Sequence, residues 1–185
     1  MKTDDLRDRL AEVLRRESLR RGSFVLASGR RSDYYLDCRR TTLNAEGAYL
    51  VGRLVVEALE RRGWAVSAVG GLTLGADPIA AAAAVVSFQL GRPLNAFIVR
   101  KEAKGHGTGQ RIEGCPPEGA AVALVEDVVT TAGSLIKAAS ACREAGLSIA
   151  GAVVLVDREE GGRAAVEKLG VSLEALFTAD ELLRD

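Results

Sequence analysis

Two adjacent carboxylates, Glu126 and Asp127, stand between an apolar run and a cluster of small hydroxyl residues. The apolar run, Ala121 to Val125, is short and contains β-branched side chains, which predicts a buried strand of a parallel sheet. Val128 to Ser134 follows with the sequence VVTTAGS and leads into a helical pattern. Hydroxyl groups and a glycine at a helix N-terminus offer N–H and O–H donors, and the positive end of the helix dipole, to an anion. The stretch is therefore predicted to bind a monophosphate.

The two carboxylates would repel that phosphate, so they must serve another part of the same ligand. Vicinal hydroxyls of a ribose and a bound Mg²⁺ are their natural partners. A sugar phosphate lying across the strand end fits both requirements. The competing interpretation is that Glu126 and Asp127 only begin a solvated loop and that Thr130 caps the helix.

A second group of candidate residues lies between Arg100 and Arg111, where cations alternate with glycines. The cationic side chains are Arg100, Lys101, Lys104, His106 and Arg111, opposed by one acidic residue, Glu102. A segment with so little apolar surface cannot offset the entropy of ordering without a ligand, so a mobile anion-binding loop is expected. The alternative is a solvated charged surface, which is the usual role of a charge run.

The elements that must position these residues alternate between strand and helix from Asn44 onward. The predicted helices are Asn44 to Arg62, Gly75 to Leu90, a helix after Ser134, Gly161 to Leu169 and Ala179 to Leu183. The predicted strands are Trp64 to Val69, Leu94 to Val99, Ala121 to Val125, Ile149 to Val156 and Val171 to Phe177. This alternation is typical of an α/β fold with a doubly wound parallel sheet, which binds ligands at the carboxyl ends of its strands.

The N-terminal part has a different pattern. Leu6, Leu10, Val13 and Leu14 recur at helical spacing and predict an amphipathic helix over Asp4 to Glu17. Two short strand-like pieces, Phe24 to Ala27 and Tyr34 to Asp37, then flank a polar turn. We expect one domain, with a small hood over residues 1–40 and a core over residues 41–185.

Composition excludes several classes of protein. The 185-residue chain has 25 Lys and Arg against 25 Asp and Glu, so no global charge favours nucleic acid or an anionic membrane. No apolar segment is long enough for a signal peptide or a membrane span. Three widely spaced cysteines and a single histidine predict a reduced, cytoplasmic protein without a zinc site. The chain also lacks the P-loop, HExxH and GxSxG motifs.

Four segments together resemble a known family. VEDVVTTAGS looks like the phosphoribosyl pyrophosphate (PRPP) signature of type I phosphoribosyltransferases. Within that superfamily, FVLASGRRSDYYLDCR resembles the hood of the orotate phosphoribosyltransferases, RKEAKGHG resembles their catalytic loop, and VVLVDRE resembles the strand that supplies an orotate-binding arginine. The resemblance implies transfer of the 5-phosphoribosyl group of PRPP to orotate, which gives orotidine 5′-monophosphate and pyrophosphate in pyrimidine (UMP) biosynthesis.

The resemblance also assigns roles to individual residues. It implies that Glu126 and Asp127 hold the ribose hydroxyls. The 5′-phosphate would be bound by Val128, Val129, Thr130, Thr131, Ala132, Gly133 and Ser134. Pyrophosphate would be bound by Arg100, Lys101, Lys104 and His106. The catalytic set would be Lys101, Lys104, His106 and Asp127. Orotate would be bound by Thr130, Arg158, Tyr35 and Leu36.

Further implications concern partners and departures from the family pattern. Mg²⁺ is expected to bind mainly through PRPP oxygens, with Glu126 and Asp127 as the protein ligands to consider. A homodimer is implied, in which the 100–111 loop reaches the active site of the partner subunit. Ala27 and Leu74 stand where some relatives have lysine, so contacts made by those lysines are not expected here.

Two other functions would use a similar PRPP site. A purine phosphoribosyltransferase would also bind PRPP, but a neutral purine offers no carboxylate to Arg158. A PRPP-sensing regulator would need a nucleic-acid-binding face, which the balanced charge does not favour. The orotate enzyme is therefore the leading hypothesis.

Overall fold

The architecture is a six-stranded sheet covered by helices on both faces, together with a two-stranded hairpin. The computed structural model describes residues 3–25, 31–102, 111–114 and 116–184. The large sheet has the strand order β5-β4-β3-β6-β7-β8, in which neighbouring strands are parallel except for the antiparallel pair β4 and β5. Its strands are β3 (Ala68–Leu72), β4 (Asn95–Val99), β5 (Ile112–Gly114), β6 (Ala121–Val129), β7 (Ser148–Asp157) and β8 (Leu173–Thr178).

Helices pack on the two faces of this sheet and form two apolar cores. The helices are α1 (Thr3–Val13), α2 (Arg39–Thr42), α3 (Ala45–Arg61), α4 (Ala76–Gln89), α5 (Gly133–Glu144), α6 (Gly162–Glu167) and α7 (Ala179–Leu183). Side chains of α1, α3 and α4 meet one face of the sheet, whereas those of α5 and α6 meet the other. Alternate residues of β6 enter the two cores, with Ala123 and Val125 in the first and Val122 and Leu124 in the second. The prediction of a doubly wound parallel sheet is therefore confirmed.

The N-terminal segment forms an arm that carries the hairpin. One turn of π-helix, Leu14–Ser18, extends α1, and β1 (Leu19–Val25) then pairs antiparallel with β2 (Arg31–Leu36). The arm is fastened to the C-terminal helix by Arg15, whose Nε donates to the Leu182 carbonyl over 3.1 Å. Ala27, like the tip of the predicted hood, lies outside the described residues.

Most predicted helices occur where their patterns placed them. Helix α3 begins directly after Asn44, whose side chain accepts bonds from the N–H groups of Glu46 (3.0 Å) and Gly47 (3.2 Å). These two bonds satisfy donors that the first helical turn cannot use itself. Within the described ranges, none of the helices has the length and apolar character needed to span a membrane.

Three strands of the large sheet differ from the prediction: two have other bounds and one was not predicted. The strand predicted over Trp64 to Val69 lies at Ala68–Leu72, so Gly70 and Gly71 are inside it rather than in a following turn. A Cβ on either glycine would collide with a carbonyl oxygen of a neighbouring strand, Phe97 or Val125, which accounts for the glycines. Strand β6 continues through the two carboxylates to Val129. Strand β5 was not predicted, because three residues are too few to show a pattern.

Candidate active site

The candidate site lies along the carboxyl ends of β3, β6 and β7, which are neighbours in the sheet. Each of these strands ends in a segment with polar or charged residues. These polar segments are Thr73 to Asp77 after β3, Glu126 to Ser134 at the end of β6, and Asp157 to Glu160 at the end of β7. Because parallel strands end at the same edge, the topology brings the three segments together, as the sequence pattern predicted.

The end of β6 and the start of α5 enclose a cavity of about 220 Å³, lined by Glu126 and by residues 128–135. Ala132 stands at the N-cap in the left-handed conformation (φ 66°), and no side chain caps the helix. The alternative in which Thr130 caps the helix is therefore wrong. The N–H groups of the first turn of α5 have no partner within the helix and can serve an anion. The predicted cradle, Val128 to Ser134, surrounds this cavity.

The acidic pair is largely removed from solvent. Glu126 is 6% exposed, and its Oε1 accepts a bond from the Asp127 N–H over 3.2 Å. Asp127 is half-buried, and its Oδ1 accepts from the Val128 N–H over 2.8 Å. Oε2 of Glu126 is buried without a hydrogen-bond partner among the described residues. These positions contradict the interpretation of the pair as the start of a solvated loop.

Burial also changes the ionisation of Glu126. The pKa of its carboxyl group is raised to about 9, first because burial disfavours the charged form and second because Asp127 lies beside it. Without a ligand, Glu126 therefore holds a proton at neutral pH. An unpaired buried oxygen costs free energy, so this carboxyl group is suited to a hydroxyl or cation that a ligand would bring.

The turn between β3 and α4 approaches the acidic pair closely. A Cβ on Gly75 would lie 2.5 Å from Glu126 Oε1 and 2.6 Å from Asp127 Oδ1, so only glycine leaves the carboxylates their space. Thr73 Oγ1 donates to Asp77 Oδ2 over 2.7 Å, which closes the turn, and the Thr73–Leu74 peptide is cis. Leu74 is 65% exposed.

The basic loop begins at the end of β4, beside β3. The Arg100 N–H donates to the Arg111 carbonyl over 2.8 Å, and the Arg100 side chain lies 3.5 Å from Glu113. Lys101 is exposed. Lys104 and His106 lie outside the described residues. The structure thus places the first residues of the loop, and the role of its four predicted pyrophosphate ligands stays a prediction.

A second and larger cavity lies between the end of β7 and the hairpin. Its volume is about 710 Å³, and its lining includes Arg158, Glu160, Tyr34 and Ser32. The Arg158 guanidinium lies 4.6 Å from the centre of the Tyr34 ring. Thr130, the other predicted contact to the base, lines the smaller cavity at the end of β6.

The predicted base-covering residues have different surroundings. Tyr35 is exposed and its ring packs beside Phe24, with ring centres 5.7 Å apart. Leu36 is buried in the core formed with α1, α3 and α4. Tyr34, which points to the opposite side of β2 from Tyr35, is the residue that contacts Arg158. Sequence reasoning overlooked Tyr34, Glu160 and Gly75. The alternation along β2 could have separated Tyr34 from Tyr35 if the buried face had been known.

Comparisons with known proteins agree on one family. Residues 68–175 match the Phosphoribosyl transferase domain family. The chain is 49% identical over 179 residues to the orotate phosphoribosyltransferase of Thermosynechococcus vestitus, covering 96% of this chain and 93% of that one. It is 47% identical over 180 residues to the Aquifex aeolicus orotate phosphoribosyltransferase, covering 96% and 97% of the two chains.

Solved structures give the same result. The crystal structure of Mycobacterium tuberculosis H37Rv orotate phosphoribosyltransferase superposes with a TM-score of 0.86 at 42% identity, covering 96% of this chain and 99% of that one. A structure of that protein in complex with PRPP has a TM-score of 0.79 at 35% identity, with coverage of 96% and 92%. With this similarity over nearly its whole length, the chain belongs to the orotate phosphoribosyltransferase family.

Proposed function

We propose that the protein transfers the 5-phosphoribosyl group of PRPP to orotate, giving orotidine 5′-monophosphate and pyrophosphate for pyrimidine biosynthesis. The observation that carries this proposal is the position of a phosphate-sized cradle beside a cavity with a buried arginine, at neighbouring strand ends. Two relatives with this name are 49% and 47% identical to the chain, and one of the similar solved structures contains PRPP.

The sugar phosphate would occupy the end of β6. The 5′-phosphate would accept bonds from the first N–H groups of α5 and from the hydroxyls of Thr130, Thr131 and Ser134. The ribose hydroxyls would lie against Glu126 and Asp127, which would satisfy the unpaired Glu126 Oε2. This arrangement fixes the anomeric carbon relative to the base, which is the main requirement of a displacement at that carbon.

The base would bind at Arg158, with Thr130 at the boundary between the two cavities. Orotate carries a carboxylate, and the planar guanidinium of arginine can bind a carboxylate through two parallel hydrogen bonds. The Arg158 side chain is only 9% exposed, so such a bond would form away from competing water. Neutral purines offer no equivalent partner, which favours orotate over a purine base.

The leaving group would be received by the basic loop. Breaking the bond to pyrophosphate leaves positive charge on the ribose and adds negative charge to the leaving group. Arg100 and Lys101 lie at the base of this loop, and Lys104 and His106 follow them in sequence. Their charges would stabilise the departing pyrophosphate, and Asp127 would stabilise the positive ribose.

Mg²⁺ is the cofactor that we propose, and the residues present fit a metal held mainly by substrate. Among the described residues, no three His, Cys, Asp or Glu side chains are grouped as a protein metal site would require. Asp127, and the buried Glu126 once it has released its proton, can add a carboxylate oxygen to those of PRPP. When bound, Mg²⁺ would neutralise charge on pyrophosphate.

We also propose a homodimer in which the 100–111 loop of each subunit serves the partner's site. Four large apolar side chains, Leu43, Tyr49, Val85 and Phe88, are exposed on α3, α4 and the turn before α3, and α2, α3 and α4 pack together. Phe88 is 74% exposed, and a second copy that covered it would remove this apolar surface from water. A reducing, cytoplasmic location fits the free thiols of Cys38 and Cys142.

The test is the consumption of orotate by purified protein supplied with PRPP and Mg²⁺, with parallel reactions that offer adenine, hypoxanthine or uracil. We expect loss of orotate only, with formation of orotidine 5′-monophosphate that requires both PRPP and Mg²⁺. Arg158→Ala should abolish most of this activity and leave PRPP binding intact. Consumption of a purine instead, or binding of PRPP without turnover of any base, would contradict the proposal.

A further inference from the structure

We propose that Glu160 and Tyr34 are positioning residues that hold the Arg158 guanidinium in the orientation needed to bind the carboxylate of the base. This inference rests on the proposed function, because it assigns a task to residues around the proposed base site. Glu160 and Tyr34 line the same cavity and come from different elements, one from the segment after β7 and the other from β2.

Glu160 fixes one edge of the guanidinium. Arg158 Nε donates to Glu160 Oε1 over 2.8 Å. Among the described residues, neither terminal nitrogen of Arg158 has a hydrogen-bond partner, so the edge that carries both of them remains available to a ligand. A carboxylate binds most strongly to two parallel N–H groups of one guanidinium, and holding Nε leaves such a pair.

Tyr34 fixes the plane of the guanidinium. The carbon atom at the centre of the group lies 4.6 Å from the centre of the Tyr34 ring, a distance at which the cation and the ring face attract each other. Tyr34 itself packs against the core formed with α1, α3 and α4, so its ring cannot move together with the arginine side chain. One contact at the edge and one at the face together determine the orientation of the group.

The backbone between Arg158 and Glu160 is shaped to permit this contact. Glu159 adopts a left-handed conformation (φ 58°), which turns the chain back so that residue 160 can reach residue 158. Asp157 supports the turn, because its buried Oδ1 accepts from the Glu159 N–H over 2.8 Å and its Oδ2 lies 3.4 Å from Arg163 Nε. The turn is thus formed before any ligand binds, and a pre-oriented arginine loses less conformational freedom on binding.

Glu160 can affect binding of the base in two opposite ways. Glu160 lowers the net positive charge that orotate meets, so a purely electrostatic role would make its removal favourable for binding. A positioning role predicts the reverse, because removal would release the guanidinium to other rotamers. The two effects are separated by Glu160→Gln, which removes the charge and keeps an oxygen that accepts from Nε.

The experiment compares two product nucleotides that differ only in the carboxylate, orotidine 5′-monophosphate and uridine 5′-monophosphate. Their affinities are measured by titration calorimetry for wild-type protein, Glu160→Ala and Glu160→Gln. Tyr34→Leu and Tyr34→Phe form a parallel pair, since phenylalanine keeps the ring face. Glu159→Gln is the matched control, because it removes a neighbouring negative charge from an exposed side chain.

Glu160→Ala removes a charged hydrogen bond and Tyr34→Leu removes a cation–π contact, and we expect each to weaken binding of orotidine 5′-monophosphate about tenfold. Binding of uridine 5′-monophosphate should not change. Glu160→Gln and Tyr34→Phe should restore most of the affinity, and Glu159→Gln should behave as wild type.

Three results would overturn the inference. The first is an equal loss of affinity for both nucleotides, which indicates a general structural role. The second is unchanged or tighter binding of orotidine 5′-monophosphate by Glu160→Ala. The third is a Glu160→Gln variant whose affinity for orotidine 5′-monophosphate is not restored. PRPP binding by each variant checks that it is folded. A wild-type protein that does not prefer orotidine 5′-monophosphate would instead contradict the proposed function, and that failure is visible before any variant is made.

Discussion

At the scale of single residues, the site depends on polar groups whose hydrogen bonds the fold leaves incomplete. Glu126 is the clearest case, because the strand places its carboxyl group below the surface and one of its oxygens has no hydrogen-bond partner in the described part of the chain. Such a group costs stability in the ligand-free protein. The cost is consistent with a role in binding, since the hydroxyls or cation of a ligand would supply the missing partner.

The pKa of Glu126 leads to a prediction about stability and pH. Burial and the neighbouring Asp127 raise the pKa from 4.5 to about 9 in the folded protein. Between these values the unfolded chain loses the proton and the folded chain keeps it, so the free energy of unfolding falls as pH rises. Urea unfolding in metal-free buffer at about pH 5 and about pH 8 should show this loss. Because a shift of one unit in pKa is worth about 1.4 kcal/mol, we expect the loss attributable to Glu126 to exceed 1 kcal/mol.

Glu126→Gln is the control for this measurement. Glutamine resembles the protonated acid and cannot ionise, so the variant should lose less stability than wild type between the two pH values. Parallel losses in the two proteins would mean that the Glu126 pKa is not raised by folding.

The residue scale also shows what sequence could and could not predict about the site. Glu126, Asp127 and the cradle after them are contiguous, so their types and spacing sufficed to place them. The contact of Arg158 with Tyr34 joins residues far apart in sequence, and the choice between Tyr34 and Tyr35 depends on which side of β2 faces the sheet. Nothing in a local pattern determines that choice.

At the scale of elements, the site is formed where the start of one helix meets the end of a neighbouring strand. Gly75 precedes α4 with helical backbone angles (φ −62°, ψ −40°), which any residue adopts without strain. Its importance is therefore steric and comes from the two carboxylates of β6. A steric cause also explains why the predicted strand ends before β3 does. Glycines inside a strand look like a turn until the neighbouring strands that crowd them are known.

Gly75→Ala should disturb the site and leave the fold intact. The added methyl group would collide with the ends of two side chains, at Glu126 Oε1 and Asp127 Oδ1. These side chains can move aside, so the backbone can keep its position. Displacing these oxygens from the ribose would remove a charged hydrogen bond worth about 1.5–3 kcal/mol, which is about tenfold or more in PRPP affinity. Calorimetric titration with PRPP and thermal unfolding measure the two quantities.

Gly151→Ala provides the matched control. Its methyl group would collide with the Trp64 ring near the start of β7, at the opposite end of the strand from the site. This variant should lose stability and keep the affinity of wild type for PRPP. If Gly75→Ala binds PRPP normally, the acidic pair does not contact the ribose as proposed.

At the scale of the whole molecule, the two ends of the chain are joined to support the hairpin. Arg15 and Arg21 donate to carbonyls at the end of α7, and Arg7 donates to both oxygens of Glu181. The arm that carries Tyr34 is therefore anchored to the C-terminal helix, which follows β8 at the edge of the sheet. Alternation of strands and helices was enough to predict the sheet, but these long-range contacts follow only from the assembled fold.

The dimer proposal concerns the largest scale and has a direct test in mixed subunits. Lys104→Ala should inactivate the loop, and Asp127→Asn should inactivate the site that receives it, so neither variant alone is active. If each loop serves the partner's site, a mixed dimer has one site in which the loop and the acidic pair are both intact. Random reassortment of equal amounts makes half of the dimers mixed, so about a quarter of wild-type activity should return. A loop that served its own subunit would leave every site with one defect, and mixing would then restore nothing.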